Sequence, residues 1–238
     1  MDKLGMHRIL DAEWILTPAL AIYPAVAVRM RAAHRGYARL LEITSAFAPG
    51  GFPVQETITS GTPGLPCALS YAGFKQASFV HRVSPGTLIY HDVTSLKQLP
   101  AAYGLAPAAV IVAPVISQPT PNIVTCDAGH KTVSVDCGLP NGEVLGRPEL
   151  VPLTPGEEHL PIEVPAGAVV PAIGEMLYLV PRHVCPTLNN FDDAVIVRAG
   201  TSPAWSPSRH AGGKRPYLSL GIDRGSQAVA ARSERRAH

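Results

Sequence analysis

His183 and Cys185 are the residues whose types and spacing are the most suggestive of chemistry. They lie two positions apart in "PRHVCPTLNN", and in an extended segment such a pair points to one face of the chain. Thiolate and imidazole together favour zinc over magnesium or calcium. Two ligands would leave coordination positions open for water or substrate, as a catalytic metal requires. From spacing alone, a buried cysteine beside a hydrogen-bonded histidine remains the alternative.

Three further stretches contain candidate residues. "VTCDAGHKTVSVD" predicts two strands around a turn in which Asp127 either forms an Asx turn or orients a metal-bound imidazole. "GEEHLPI" adds His159 beside two glutamates, as acid–base equipment or as a solvated loop. "TITSGTPG" ends a predicted strand in Ser60, Gly61 and Thr62, which could cradle a phosphate or form an ordinary turn.

The elements that must position these residues are mostly short strands. Residues 24–43 are predicted to form an amphipathic helix, because apolar residues recur at steps of three and four. After it, alternating or apolar runs separated by Gly, Pro and Asp predict an antiparallel sandwich or barrel. The runs that predict strands are 55–60, 76–83, 87–92, 109–117, 122–127, 131–136, 175–181 and 194–199.

Composition excludes several classes of protein. Hydrophobic residues make up 46% of the 238 residues, which is enough for a core and argues against wholesale disorder. No apolar run is long enough to span a membrane, and the opening "MDKLGMHR" precedes no signal-peptide core. A cytoplasmic protein with four reduced cysteines is expected. With a net charge of +2, neither a nucleic-acid nor a membrane partner is predicted.

Taken in order, these motifs resemble the D-threonine aldolase / D-serine dehydratase-like family of lyases, which depend on pyridoxal phosphate and a metal. The resemblance runs from about residue 50 to 205, through "TSGTPG", "VHRVSPGTLIYHD", "DAGHKTVSVD", "PNGEVLGRPEL", "GEEHLPI" and "PRHVCPTLNNFDD". It implies an alanine-racemase-like barrel that carries the cofactor, followed by a β-rich domain.

The resemblance also implies roles for residues. His183 and Cys185 match the family's metal ligands, and a cysteine at the second position is typical of its zinc enzymes. Ser60, Gly61 and Thr62 match the loop that holds the cofactor phosphate. Asp127 and His159 stay candidates, from their residue types alone, for orienting the metal ligands. The implied substrate is a D-3-hydroxy amino acid, and the implied assembly is a homodimer or a pair with a partner chain.

The sequence departs from the family at the cofactor. The family's Schiff-base lysine lies in a motif of the His-x-Lys-Thr-His-Lys type, and this sequence contains no such motif. A full barrel needs about 250 residues. Three parts are therefore expected: a truncated α/β remnant of the barrel (1–64), a mainly β domain of the D-serine dehydratase type (65–205), and a basic, disordered tail (206–238).

The predicted function is a lyase by descent, acting on D-3-hydroxy amino acids, whose activity is impaired because the lysine is absent. The cofactors implied are zinc or another divalent metal, and pyridoxal phosphate as in the family. Two alternatives remain. The chain could be a non-catalytic zinc-binding β module that pairs with another chain, or a non-functional remnant whose exposed apolar edges make it aggregate.

Overall fold

A computed structural model describes residues 9–11, 25–198, 201–207 and 227–231. By its internal contacts the chain divides into two compact units. Unit 1 comprises residues 1–89 and 97–104, and unit 2 comprises residues 90–96 and 105–238. Within the described ranges, no helix combines the length and the apolar character that crossing a membrane requires.

Unit 1 is built on a small parallel sheet. Its strands are β1 (Ile9–Asp11), β2 (Glu56–Ser60) and β3 (Val80–Ser84), paired in that order. Parallel neighbours need crossover connections. The first crossover contains helix α1 (Val26–Phe47), and the second contains α2 (Leu65–Ser70) and α3 (Ala72–Lys75). This alternation of strand and helix confirms the predicted α/β character of the N-terminal part.

Helix α1 confirms the helix predicted for residues 24–43, although it continues to Phe47. It buries one stripe, whose members recur at steps of four and three as the helical period requires: Arg29, Ala33, Tyr37, Leu40 and Thr44. The middle of this stripe packs against α2 and α3 in a small core with Cys67, Ala68 and Phe74.

In the described residues of unit 2, nine strands form a mainly antiparallel sheet. One boundary between the two units, at residues 96 and 97, falls within helix α4 (Val93–Gln98). The long strand β4 pairs with β5, β9 and the last strand, β12. The strands are β4 (Ala109–Thr120), β5 (Ile123–Cys126), β6 (Gly142–Val144), β7 (Val151–Pro152), β8 (Leu160–Glu163), β9 (Met176–Pro181), β10 (Asp193–Arg198), β11 (Thr201–Pro207) and β12 (Gln227–Ala231).

The core of unit 2 confirms the mainly β fold that was predicted. Alternate residues of β4, β5, β8 and β9 point inward, as the two-residue period of a strand requires. They form one continuous apolar cluster that includes Ile111, Val124, Leu160, Ile162 and Leu179, each at most 1% exposed. Helix α5 (Val184–Leu188) follows β9 directly.

Two predicted strands are wrong. Residues 87–92 begin in a 3-10 turn over Gly86–Leu88 and reach His91 at a positive φ of 51°, which a strand cannot contain. Residues 131–136 form irregular turns, because the amides of Thr132 and Val133 both donate to the carbonyl of Gly129. Both stretches favour a strand by their residue types, but a strand also needs a paired neighbour.

The predicted basic tail lies largely outside the described residues. Of residues 206–238, the structure describes the end of β11 and the five residues of β12. The stretch "WILTPALAIYP", residues 14–24, also lies outside them.

Candidate metal site

His183 stands at the junction between a buried strand and a short helix. Strand β9 ends at Pro181, and His183 is the N-cap of α5, with φ −133° and ψ 112°. Cys185 lies in the first turn of that helix and is exposed. The expectation that both residues lie on one extended segment is therefore wrong, since the chain turns into a helix between them.

The backbone on both sides of His183 is held by the segment around α4. The Thr94 hydroxyl donates to the carbonyl of Arg182 over 2.8 Å. The amide of Val184 donates to Asp92 Oδ2 over 3.0 Å, while Asp92 Oδ1 accepts from the amide of Ser95 at 2.7 Å. Asp92 is only 1% exposed, so its carboxylate forms these bonds away from bulk water. The backbone position of His183 is thus fixed by protein hydrogen bonds alone, without a bound ion.

The irregular loop 131–141 is tied to the same junction. The buried Thr187 hydroxyl donates to the carbonyl of His183 at 2.8 Å and accepts from the amide of Ser134 at 3.2 Å. Arg182 donates from its amide to the carbonyl of Asn141 at 2.7 Å and from its guanidinium to the carbonyl of Leu139, also at 2.7 Å. These bonds hold the 131–141 loop against the segment that contains His183, although the two lie almost fifty residues apart in the sequence.

Three potential ligands meet at this junction. The Oδ2 atom of Asp136 lies 2.5 Å from Nδ1 of His183, and the Sγ atom of Cys137 lies 3.4 Å from the same nitrogen. Cys137 Sγ and Asp136 Oδ2 are 3.5 Å apart. Among the residues that the structure describes, this is the group of His, Cys and acidic side chains whose ligand atoms converge within 4.8 Å. We call it the metal cluster.

The charges of the metal cluster support one another. The pKa of His183 is raised to about 9, first by a hydrogen bond with Cys185 and then by Asp136, against an opposing effect of burial. Burial works to raise the pKa of Asp136, but hydrogen bonds from His183 and Ser134 outweigh it and hold that pKa below its ordinary value. Without a metal, His183 and Asp136 therefore form a charged pair at neutral pH.

The thiol of Cys137 behaves differently. Its pKa is raised to about 11, by burial first and then by the negative charge of Asp136. It therefore stays protonated at neutral pH unless a cation replaces the proton. A thiol, an imidazole and a carboxylate are all zinc ligands, and each has exposed surface through which an ion could enter. By the chemistry of its donors, the cluster fits zinc.

The other predicted supporting residues lie apart from the metal cluster. Asp127 follows β5 and donates its amide to the carbonyl of Pro114, and His159 is exposed in the turn before β8. Neither belongs to the group that converges on His183. The turn after Asp127 packs on the 156–159 loop instead, where the amides of His130 and Lys131 donate to the carbonyls of Gly156 and Glu157.

Gly129 explains why those two loops can pack so closely. A Cβ atom at this position would lie 2.2 Å from the backbone nitrogen of Glu158. The close approach of the two loops therefore requires a residue without a side chain at position 129. The ion pair between Lys131 and Glu157, at 2.7 Å, lies across the same contact.

The predicted phosphate loop belongs to unit 1 and is described by itself. The backbone of Ser60 ends β2, and Gly61 takes a φ of 68°, in the left-handed region that favours glycine. The turn closes where the amide of Gly64 donates to the carbonyl of Gly61 at 3.0 Å. Thr62 is buried, and its hydroxyl accepts a 2.6 Å hydrogen bond from Thr87. The buried Arg29 steadies the turn by donating to the carbonyl of Pro63.

The lysines do not complete a cofactor site. Lys75 ends α3, Lys97 lies in α4, and Lys131 is paired with Glu157. Lys3 and Lys214 lie outside the described residues. None of the three described lysines is on β1, β2 or β3, so within the described part of the chain no strand of this sheet supplies a Schiff-base lysine.

Sequence reasoning missed Asp136 and Cys137 as potential ligands. Residues 131–136 were predicted to form a strand, so the loop that contains "VDCG" was not expected. A signal was available, since Cys137 is one of only four cysteines and follows an aspartate in a segment without a clear hydrophobic pattern.

Comparison with known proteins identifies the domain that contains the metal cluster. Residues 108–197 match the family described as "Putative serine dehydratase domain". A D-threonine aldolase of Arthrobacter sp. is 41% identical over 90 residues, and a 3-hydroxy-D-aspartate aldolase of Paracoccus denitrificans is 38% identical over 93 residues. These matches cover 38% and 39% of the chain and 23% of each relative, so the chain matches about a quarter of their length.

Solved structures extend the likeness of fold. A D-threonine aldolase from Filomicrobium marinum aligns with a TM-score of 0.65 and 23% identity, over 76% of this chain and 48% of that one. A D-threo-3-hydroxyaspartate dehydratase from Delftia sp. aligns with a TM-score of 0.64 and 20% identity, over 84% of this chain and 55% of that one. The predicted resemblance to the D-threonine aldolase / D-serine dehydratase-like family is thus confirmed, with the sequence match confined to part of the chain.

Proposed function

We propose that this chain retains the metal-binding domain of a D-amino acid lyase and binds one zinc ion through His183 and Cys185. The observation that carries the proposal is the placement of His183, inside the matched range 108–197 and facing Asp136 and Cys137. Two solved variants of a D-threo-3-hydroxyaspartate dehydratase also support it. One replaces a cysteine by alanine and is described as metal-free, and the other replaces a histidine two positions earlier.

In this proposal each residue has a defined task. His183 and Cys185 hold the ion, and the Asp136 carboxylate accepts a hydrogen bond from the His183 ring, which fixes its orientation. Asp127 and His159 lie outside the metal cluster, so in this proposal they take no direct part in holding the ion. A bound zinc ion supplies Lewis acidity toward a hydroxyl oxygen. The relatives' names indicate D-3-hydroxy amino acids as the substrates of the whole enzyme.

We further propose that this chain alone has little or no lyase activity. Ser60, Gly61 and Thr62 keep the compact turn of a phosphate loop, but the lysine that the cofactor requires has no counterpart in the sequence. The boundaries 1–64, 65–205 and 206–238 remain the predicted division of the chain. We place the function in the cytoplasm, where the four cysteines, free in this structure, stay reduced.

Zinc binding to the purified full chain tests the first part. Isothermal titration calorimetry is expected to give about one equivalent of zinc, and His183→Ala is expected to abolish the binding. The matched control is His159→Ala, because His159 is an exposed histidine of the same unit outside the metal cluster. Undiminished binding by the His183 variant would refute the proposed site.

Mass spectrometry tests the second part. The chain is incubated with pyridoxal phosphate, reduced with borohydride and digested, and the expected result is no stoichiometric lysine adduct. A single lysine modified in full, together with cleavage of a D-3-hydroxy amino acid, would show that the chain is a complete enzyme.

A second candidate function is a non-catalytic zinc-binding β module that acts with a partner, either another copy or a different chain. The observation that favours it is the number of donors near His183, since Asp136 and Cys137 could fill positions that a substrate would need. Light scattering of the zinc-loaded chain is expected to show a dimer in that case. A monomer that nevertheless processes a D-amino acid would rule out this candidate.

A further inference from the structure

We propose that zinc in this chain is held by four protein side chains, Asp136, Cys137, His183 and Cys185, in a closed site that has no position for a substrate. The inference rests on the proposed metal site and deepens it. It adds two ligands, and it changes the role of the ion from catalysis to structure. Four ligands in tetrahedral geometry are the arrangement of structural zinc sites.

The spacing of the donor atoms carries the argument. With zinc bond lengths of about 2.0–2.3 Å, a tetrahedral site separates a sulfur ligand from a nitrogen or oxygen ligand by about 3.6 Å. Cys137 Sγ lies 3.4 Å from His183 Nδ1 and 3.5 Å from Asp136 Oδ2, which is close to that separation. To reach that geometry the pair of Asp136 and His183, at 2.5 Å, must open, and Cys185 must turn toward the ion.

The orientation of the His183 ring points the same way. Its Nδ1 atom faces both Asp136 and Cys137, so one ring nitrogen already has two potential ligands beside it. A second hydrogen bond fixes the orientation of the Asp136 carboxylate. The Ser134 hydroxyl donates to its Oδ1 atom over 2.7 Å, which leaves Oδ2 directed at the His183 ring.

The distribution of the cysteines is an independent observation. Cys67 and Cys126 are buried in the cores of their units, whereas Cys137 and Cys185 are exposed. The Cys137 Sγ atom lies 3.4 Å from Nδ1 of the His183 imidazole, and Cys185 lies two residues beyond His183 in the first turn of α5. In this proposal Cys185 supplies the fourth ligand, because it is the other exposed thiol at this junction.

Binding of this kind links two segments through one ion. Both thiols and the protonated imidazole release their protons to the buffer when zinc binds, so the charge balance is met by hydrogen ions alone. The ion would then cross-link the 131–141 loop to the first turn of α5. A site with no open position cannot polarise a substrate hydroxyl, which agrees with a chain that lacks the cofactor lysine.

Cobalt substitution of the full chain tests the ligand set without any activity assay. Cobalt replaces zinc in thiolate sites, and the intensity of thiolate-to-cobalt absorption in the near ultraviolet grows with the number of bound thiolates. We expect two thiolates in the unmodified chain. Cys137→Ser and Cys185→Ser should each remove about half of this absorption, and Asp136→Asn should weaken zinc binding by about 10-fold or more.

The controls separate this inference from the proposed function. Cys67→Ala removes a thiol of unit 1 that lies outside the metal cluster and should leave the cobalt spectrum unchanged. If Cys137→Ser keeps the full spectrum while Cys185→Ser abolishes the thiolate band, the closed site is refuted and the two-ligand site stands. If His183→Ala keeps the full spectrum, both the inference and the proposed metal site fail.

Discussion

The metal cluster and the phosphate loop are two candidate sites in one chain, and they differ in how much of each is present. Around His183 the structure supplies donor atoms, a buried carboxylate that holds the backbone, and a hydroxyl that joins the two segments. Around Gly61 it supplies a compact turn with a buried threonine, and none of the three described lysines lies on the strands of unit 1.

The difference follows from where the parts of each site lie along the chain. Asp136, Cys137, His183 and Cys185 all belong to unit 2 and to the matched range 108–197. Their supports, such as Thr187, lie in the same unit. The phosphate loop lies in unit 1, outside that range. A site assembled within one unit can persist when the rest of a larger architecture is shortened, whereas a site assembled from distant strands cannot.

Removal of the metal should produce the largest difference between the metal cluster and the phosphate loop. A ligand that binds the folded state at about 1,000 times its dissociation constant stabilises it by about 4 kcal/mol. After zinc loading, chelation should therefore sharply increase hydrogen exchange in residues 131–141 and 182–188, and leave residues 56–64 unchanged. Exchange measured by mass spectrometry on the full chain checks this. An equal response in both places would contradict the separation of the sites.

Asp92→Asn should weaken the metal cluster indirectly, by loosening the backbone beside His183. The buried carboxylate accepts hydrogen bonds from the amides of Ser95 and Val184, and an asparagine can accept only one of them while its NH2 group faces the other amide. We expect a loss of about 1–3 kcal/mol in the free energy of unfolding and weaker zinc binding. Chemical denaturation and calorimetry measure the two effects. Asp192→Asn, at an exposed position, is the matched control and should change neither.

The pH dependence should have opposite signs with and without zinc. Without metal, the raised pKa of His183 stabilises the fold below about pH 6.5, and this contribution is lost as the pH rises through about 9. The lowered pKa of Asp136 stabilises the fold above its ordinary value of 3.8 and is lost as the pH falls. Zinc must displace the proton of His183, so its affinity should rise with pH, by about 1.4 kcal/mol per proton per unit.

Calorimetry of zinc binding in buffers of different ionisation enthalpy checks this prediction by counting the released protons. The count should fall as the pH approaches 9, where His183 is already half deprotonated. A proton count that does not change between pH 6 and 9 would show that the imidazole is not a ligand.

Thr87→Val should have the smallest effect and should be confined to the phosphate loop. It removes the donor to the Thr62 hydroxyl, a bond of 2.6 Å, at a cost of about 0.5–1.5 kcal/mol. Hydrogen exchange should increase around residues 61–64, while the stoichiometry and affinity of zinc binding stay those of the unmodified chain. Loss of zinc from this variant would show that the two sites depend on each other.

The strands of the core were predictable from the sequence because burial and pairing act together there. Strand β4 was predicted for 109–117 and continues to Thr120, and β9 and β10 lie within about a residue of their predicted bounds. Each has an apolar pattern that matches the face it buries. The match of residues 108–197 also confirms the family resemblance that the motifs of this region predicted.

The remaining parts depend on contacts between residues far apart in the sequence. Asp136 and Cys137 reach His183 because Thr187 binds the loop that carries them, and no local pattern encodes that bond. The turn of the chain into α5 at His183 depends in the same way on Asp92, ninety-two residues before Val184. Spacing could suggest that His183 and Cys185 act together, but it could not reveal which other side chains approach them.

The packing at Gly129 also limits the routes by which this sequence can change. Every codon change that replaces this glycine adds a Cβ atom, which would lie 2.2 Å from the nitrogen of Glu158. No single substitution at this position is therefore tolerated unless the backbone of residues 157–158 moves away. That movement would break the hydrogen bonds that the loop accepts from the amides of His130 and Lys131. The two loops can diverge only together, which makes this contact a slow point in the evolution of the domain.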